Sequence, residues 1–144
     1  MYKTSVLFKA SVLALLIALM FASLPTASVV AKDTNTGLEK KWDQLVNNFN
    51  TQNANHDSAH KWVEHWLKNH KHASSSEKAE VQKHLAICNS AIVGAAEVVA
   101  KHAGFDASGN LVARGAAVKS IKDLSYYLQR HKGSIRNLSE HVNE

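Results

Sequence analysis

The sequence predicts an all-α fold, a single-domain up-down bundle of four helices, and two observations support this prediction. After residue 36, apolar residues recur at three- and four-residue spacing, which is the period of amphipathic helices. The only proline of the chain is Pro25, so the later sequence contains no proline to interrupt a helix. Short polar segments between the periodic stretches would let neighbouring helices run antiparallel.

The beginning of the chain has the three parts of a secretory signal peptide. Two lysines carry its only charges, an apolar run covers residues 10–24, and small residues then lead to Ala31. We predict cleavage after Ala31, which separates a signal peptide (1–31) from a helical domain (32–144) and gives a secreted or periplasmic protein. The alternative is an uncleaved membrane anchor, because the apolar run with its tail approaches the roughly 20 residues that span a bilayer.

Two predicted helices precede the serine-rich break at residues 74–76. The first spans residues 36–51, because Thr36 and Glu39 form a capping-box pattern ahead of an apolar stripe. The second spans residues 57–70, after a stretch rich in Asn and Gln. If the chain reverses within that stretch, three aromatic side chains form one cluster. Its members would be Trp42, Trp62 and Trp66.

The third helix is the clearest element of the sequence. Ser74 and Glu77 form a second capping box, and Gly104 is a typical C-terminal cap for a helix that reaches residue 103. Its inward stripe keeps a seven-residue repeat. The members of that stripe are Val81, Leu85, Cys88, Ile92, Ala95, Val99 and His102.

The fourth helix is predicted to begin at Asn110 and to reach about residue 131. Its apolar stripe continues to Val142, so Gly133 marks either a kink or a stop and restart. A reversal near residues 107–108 would pair this helix with the third.

Histidine is the one unusual residue of the composition, and all nine histidines follow the leader. Reversals near Ser74 and near residues 107–108 bring five potential metal ligands to one level of the bundle. Imidazole, thiolate and carboxylate groups on facing helices suit Zn(II) or Cu(II). The alternative is that the imidazoles are solvated or packed without a specific ligand. The predicted ligands are His60, Glu64, His84, Cys88 and His131.

The composition narrows the range of functions. Without the two leader lysines, fifteen Lys and Arg oppose twelve acidic residues, and no basic block occurs, so no specific nucleic-acid partner is expected. Both methionines lie in the leader, which excludes His/Met haem ligation in the cleaved chain. The sequence contains no phosphate-binding glycine loop, no CxxCH motif and no serine nucleophile elbow.

A second hypothesis about the histidines needs no metal. Imidazoles titrate near pH 6.5, so nine of them would carry the net charge of the cleaved chain from about +3 towards about +12 in acid. Because His102 and His131 lie on core stripes, we predict that the bundle loosens near pH 5.

These observations predict a small exported, non-enzymatic helical protein that binds an unidentified protein or small ligand. One alternative is a metal-binding or metal-buffering protein that uses the predicted His/Cys cluster with zinc or copper. A second alternative is a structural, envelope-associated protein that forms a homodimer through Cys88, which is the only cysteine and cannot form an intramolecular disulfide. A membrane is an expected partner only if the leader stays uncleaved.

Overall fold

The computed structural model describes residues 37–143, which form three helices joined by two connections. Helix α1 spans Gly37–Asn69, α2 spans Ser75–Lys101 and α3 spans Arg114–Val142. Each helix packs against the other two. Helix α2 is antiparallel to α1, since Trp42 meets His102 and His60 meets Asn89. It is antiparallel to α3 as well, since Gly94 meets Tyr127 and His84 meets His141. The prediction of a four-helix bundle is therefore wrong. The predicted signal peptide and its cleavage site at Ala31 lie outside the described residues.

Helix α1 replaces the first two predicted helices, because it continues without a break through residues 50–56. A seven-residue repeat of inward positions runs through this polar stretch, and Gln52 and His56 occupy two of those positions. Neighbouring polar side chains bond one turn back, as Thr51 Oγ1 donates to the Asn47 carbonyl (3.1 Å). The repeat therefore outweighs the modest helix propensity of Asn, a cost of at most about 0.7 kcal/mol per residue. Its members are Trp42, Leu45, Phe49, Gln52, His56, Ala59, Val63 and Trp66.

The start of α2 is confirmed at the predicted capping box. The Ser74 hydroxyl oxygen accepts from the Glu77 backbone N–H (3.2 Å), and the Glu77 carboxylate accepts from the Ser74 N–H (2.7 Å). These two bonds satisfy donors that the first helical turn would otherwise leave unpaired. In the preceding connection, His70 stacks on Trp66 with ring centroids 4.6 Å apart.

Helix α2 ends at Lys101, two residues before the predicted end. His102 follows as the C-cap in the left-handed region, with φ 44°. Gly104 continues this reversal with φ 92°, a conformation that glycine adopts without a steric penalty. The chain then folds back on itself, and an isolated antiparallel bridge joins Phe105 to Leu111.

Asn110 does not begin the last helix, as the sequence predicts, but belongs to the loop. The Asp106 carboxylate accepts from the backbone N–H groups of Ser108 and Asn110, both at 2.9 Å. This turn delays the start of α3 to Arg114, and no side chain caps its first turn. The loop between α2 and α3 is therefore longer than the sequence suggests.

Helix α3 continues through Gly133 to Val142, so of the two alternatives predicted there, a kink or a stop and restart, the stop and restart is wrong. A glycine in a helix interior costs about 1 kcal/mol relative to alanine. The inward positions beyond it offset that cost, since Leu138 is completely buried and Ser134 is nearly so.

A layer of polar side chains crosses the middle of the bundle and divides the core into two apolar halves. This polar layer consists of Gln52, His56 and His60 from α1, Asn89 from α2 and His131 from α3. The half towards the first connection contains Ala59, Val63, Trp66, Val81, Cys88 and Leu138. The half towards the second connection contains Trp42, Phe49, Ile92, Phe105, Ile121, Leu124 and Leu128.

Helix α2 approaches α3 closely within the second half. A Cβ atom at Gly94 would lie 2.3 Å from Cε1 of Tyr127, so only glycine fits there without a shift of that ring.

Among residues 37–143, α2 is also the one helix long and apolar enough to cross a membrane. Buried core helices of globular proteins pass the same test of length and composition.

Candidate functional site

Two of the five predicted metal ligands lie on α1 and do not meet the others. His60 Nε2 donates to Asn89 Oδ1 (3.0 Å), and Glu64 is exposed. Asn89 follows Cys88, which is the residue that the sequence places opposite His60. The register of α1 against α2 is therefore predicted to within one residue.

Cys88 lies in the apolar core and has no exposed surface. Burial raises the pKa of its thiol to about 11, which disfavours the thiolate needed for metal binding or disulfide exchange. An intermolecular disulfide at Cys88 would require this half of the core to open.

We therefore expect native Cys88 to resist alkylation by iodoacetamide at pH 7.5. Because thiol reactivity depends on pKa and on access, the reaction should be at least about tenfold slower than in guanidinium-unfolded protein. The matched control is the double variant Cys88→Ala/Ser90→Cys, because position 90 is an exposed site two residues further along the same helix. That variant should react at the unfolded rate. Equal rates for native and unfolded wild-type protein would contradict the burial of this thiol.

His131 belongs to the polar layer and contacts α1, not the His84 side chain that the sequence predicts as its neighbour. His131 Nδ1 lies 2.8 Å from Gln52 Oε1, and His131 Nε2 lies 3.1 Å from His56 Nδ1. Both rings are buried, with 1% of His131 and 8% of His56 exposed. The pair is thus a direct imidazole contact between α1 and α3 inside the bundle.

The partners of the two rings fix their tautomers. Gln52 donates its amide N–H to Asn48 Oδ1 (3.1 Å), so its Oε1 is free to accept from His131 Nδ1. Neutral His131 then carries a lone pair on Nε2 and accepts the Nδ1–H of His56. Both nitrogens of His131 are therefore occupied, which leaves no lone pair for a metal.

The environment of the polar layer keeps the imidazole pair neutral. Burial, followed by the proximity of His56, lowers the pKa of His131 to about 4. Burial and then His60 lower the pKa of His56, while a hydrogen bond with Asn89 and the charge of Asp57 oppose that shift. At neutral pH both rings are uncharged hydrogen-bonding groups.

His84 is the one predicted ligand that joins a group of metal-ligand side chains. We call Glu80, His84 and His141 the surface ligand group, since their ligand atoms all lie within 4.8 Å of one another. His84 Nε2 is 3.7 Å from Glu80 Oε1, and the rings of His84 and His141 have centroids 4.6 Å apart. Within residues 37–143 this is the only set of three such side chains.

The surface ligand group has the features of a transition-metal site. His141 Nδ1 donates to the Asn137 carbonyl (3.0 Å), which leaves the Nε2 lone pair for a metal ion. A backbone carbonyl in that position is a common second-shell partner of a metal-binding histidine. The His84 side chain is 15% exposed and Glu80 is 52% exposed, so the group is open to solvent ions on one side. Two imidazoles and a carboxylate suit Zn(II) or Cu(II).

The sequence misses His141 because the register of α3 depends on the loop before it. The hydroxyl of Ser120 bonds to the carbonyl of Ala103, so the second turn of α3 lies level with the end of α2. His141 consequently occupies the place opposite His84 that the sequence assigns to His131. The difference is ten residues, or about 15 Å of helix. The spacing of Glu80 and His84, one turn apart, is the local signal that could have been used.

The two clusters differ in what they can do. The polar layer is buried, neutral and satisfied by its own hydrogen bonds, whereas the surface ligand group presents unshared electron pairs to solvent ions.

No protein-family model, no curated protein and no solved structure matches this chain.

Proposed function

We propose that this protein is a small exported, non-enzymatic helical protein that binds Zn(II) or Cu(II) through Glu80, His84 and His141. The observation that carries the proposal is the convergence of their three ligand atoms within 4.8 Å. Export rests on the leader, whose charged start, apolar run and small-residue end are those of a signal peptide.

The position of the ligands supports a site that requires the folded chain. Glu80 and His84 lie one turn apart on α2, and His141 lies in the last turn of α3. A bound ion would therefore join the two helices and hold the end of α3 in place. Binding to the folded state alone also raises its stability, by about 2.7 kcal/mol when the free ion is at 100 times its dissociation constant.

Calorimetric titration of the untagged chain with Zn(II) and with Cu(II) tests this proposal. We expect one site of 1:1 stoichiometry whose affinity falls at least about tenfold in His84→Ala and in His141→Ala, because even second-shell changes weaken metal sites by about 10–100-fold. Cys88→Ala should bind with unchanged affinity, since its thiol lies in the core.

The matched control is His72→Ala, which removes an exposed histidine from the first connection. This variant should bind with wild-type affinity. Several weak sites, or equal weakening in His72→Ala and His141→Ala, would show diffuse binding to surface imidazoles and would contradict a defined site.

A further inference from the structure

The hydrogen bond between His56 and His131 survives the addition of one proton but not of two. The contact needs one N–H and one lone pair across the 3.1 Å that separates His56 Nδ1 from His131 Nε2. The other nitrogen of His131 already donates to Gln52. One added proton can bind at His56 Nε2, the remaining nitrogen of the pair, which keeps the contact but makes the pair a buried cation. A second added proton would set two N–H donors against each other across the same gap.

The surroundings of the pair offer little compensation for such a charge. On α1, the His60 ring lies 5.1 Å from the His56 ring and repels a second cation when it is protonated, while the Asp57 carboxylate attracts one from an exposed position. Helix α2 faces the layer with the neutral amide of Asn89, next to the neutral thiol of Cys88. Helix α3 contributes His131 itself. A buried charge without a close counter-charge is strongly destabilising.

We propose that the polar layer is an acid-sensitive latch, in which proton uptake by the His56–His131 pair releases α3 from α1 and opens the bundle. This device is independent of the surface ligand group, which lies between α2 and α3. Mild acid is sufficient because histidines of the unfolded chain take up protons near pH 6.5. Because the polar layer crosses the middle of the core, breaking its hydrogen bonds disrupts the packing between the two apolar halves.

The sign of the pH dependence follows from the lowered pKa values of the folded state. The unfolded chain takes up protons below its ordinary histidine pKa of about 6.5, whereas folded His131 resists protonation down to about pH 4. Stability is therefore complete above pH 6.5 and falls as the pH drops from 6.5 towards 4. His131 alone should raise the unfolding equilibrium constant about 30-fold between pH 7.5 and pH 5, and His56 adds to this in the same direction.

Urea unfolding at pH 7.5 and pH 5.0, followed by circular dichroism in the presence of EDTA, tests the latch. We expect the wild-type chain to show at least the roughly 30-fold loss given above. The double variant His56→Leu/His131→Leu replaces the pair with apolar residues at repeat positions and should lose less than about threefold, because a hydrophobic substitute for a buried polar pair is often neutral or stabilising. The matched control, His84→Ala/His141→Ala, removes two histidines outside the layer and should keep the wild-type loss.

The reactivity of Cys88 reports the opening directly, since Ala59 from α1 and Leu138 from α3 share its buried cluster. Dithiodipyridine attacks thiols in mild acid, and its rate with native Cys88 is divided by its rate with the urea-unfolded chain at the same pH. This ratio should be higher at pH 5.0 than at pH 7.5 in the wild-type chain, and should not rise in the double leucine variant. The latch is overturned if wild-type protein is equally stable at both pH values, or if the leucine variant keeps the full acid loss. In the latter case another buried histidine is responsible, such as His102, whose Nδ1 has no hydrogen-bond partner.

Discussion

The substitution Gly104→Ala is expected to lower the free energy of unfolding by about 3–5 kcal/mol. Two separate costs add at this position. The backbone has φ 92°, where side chains other than glycine are strained by about 1–3 kcal/mol. A Cβ atom would also lie 2.1 Å from the backbone nitrogen of Ala117, in the first turn of α3. Backbone cannot move aside as a flexible side chain can, so the loop and the helix would have to separate.

The hydrogen bonds around this glycine make that separation costly. The Gly104 carbonyl accepts from the Val112 N–H (3.0 Å) and from the Ala113 N–H (3.4 Å), so it holds the loop against the start of α3. Small domains are stable by only about 5–15 kcal/mol, and the substitution would remove a large fraction of that.

Urea unfolding monitored by circular dichroism measures the effect, and Gly133→Ala is the matched control. Gly133 lies inside α3 with open space around its missing Cβ, so its replacement should raise stability by up to about 1 kcal/mol. If both variants shift the midpoint in the same direction, the tight contact between the loop and α3 is contradicted.

Gly104 also shows which parts of this fold can be predicted from local sequence. A glycine after an apolar helical repeat, and a serine three residues before a glutamate, are short-range signals that act through backbone conformation and capping bonds. They place the beginning of α2 at the observed residue and its end within two residues. The stripe of α2 was equally predictable, because its seven-residue repeat consists almost entirely of apolar residues.

The polar layer could not be predicted by the same local signals. The composition of residues 50–56 favours a loop, and Gln52 and His56 are rare residues for a core. Only the seven-residue repeat that connects Phe49 to Val63 indicates that these residues face inward, and a long-range repeat outweighs a local propensity in a packed bundle. The layer is then explained by pairing across the helices, since each polar group finds a partner on another element.

The surface ligand group shows a different limit. Side chains on a helix can be assigned to a face, but their neighbours on another helix depend on the loop that sets the register. Between α1 and α2 the turn is short, and the sequence places His60 within one residue of its partner. Between α2 and α3 the helix ends, Lys101 and Arg114, are centred on the predicted reversal. However, Ser120 and not Arg114 lies level with the end of α2, so His141 and not His131 reaches His84.

Trp42 allows a direct test of the correction to the helix count. If α1 is continuous, Trp42 and Trp66 are separated by 24 residues, or about 36 Å of helix, and cannot form the predicted tryptophan cluster. Trp42 instead stacks on Phe105, with ring centroids 4.5 Å apart and an angle of 8° between the planes. Because Trp42 is only 1% exposed, the substitution Trp42→Ala should lower the free energy of unfolding by about 3–5 kcal/mol.

Double-mutant cycles distinguish a continuous α1 from two helices joined by a reversal. Leucine substitutions are used because they keep the core apolar enough for the variants to fold. Trp42→Leu and Phe105→Leu should couple by about 0.5–1.5 kcal/mol, the range for stacked aromatic pairs. Trp42→Leu and Trp66→Leu should be additive to within about 0.5 kcal/mol, as expected for distant sites. Coupling between the two tryptophans would require the chain to reverse between them, and it would restore the four-helix arrangement. Coupling to Phe105 alone is the result expected for a continuous α1, which is also what carries Gln52 and His56 into the core beside His131.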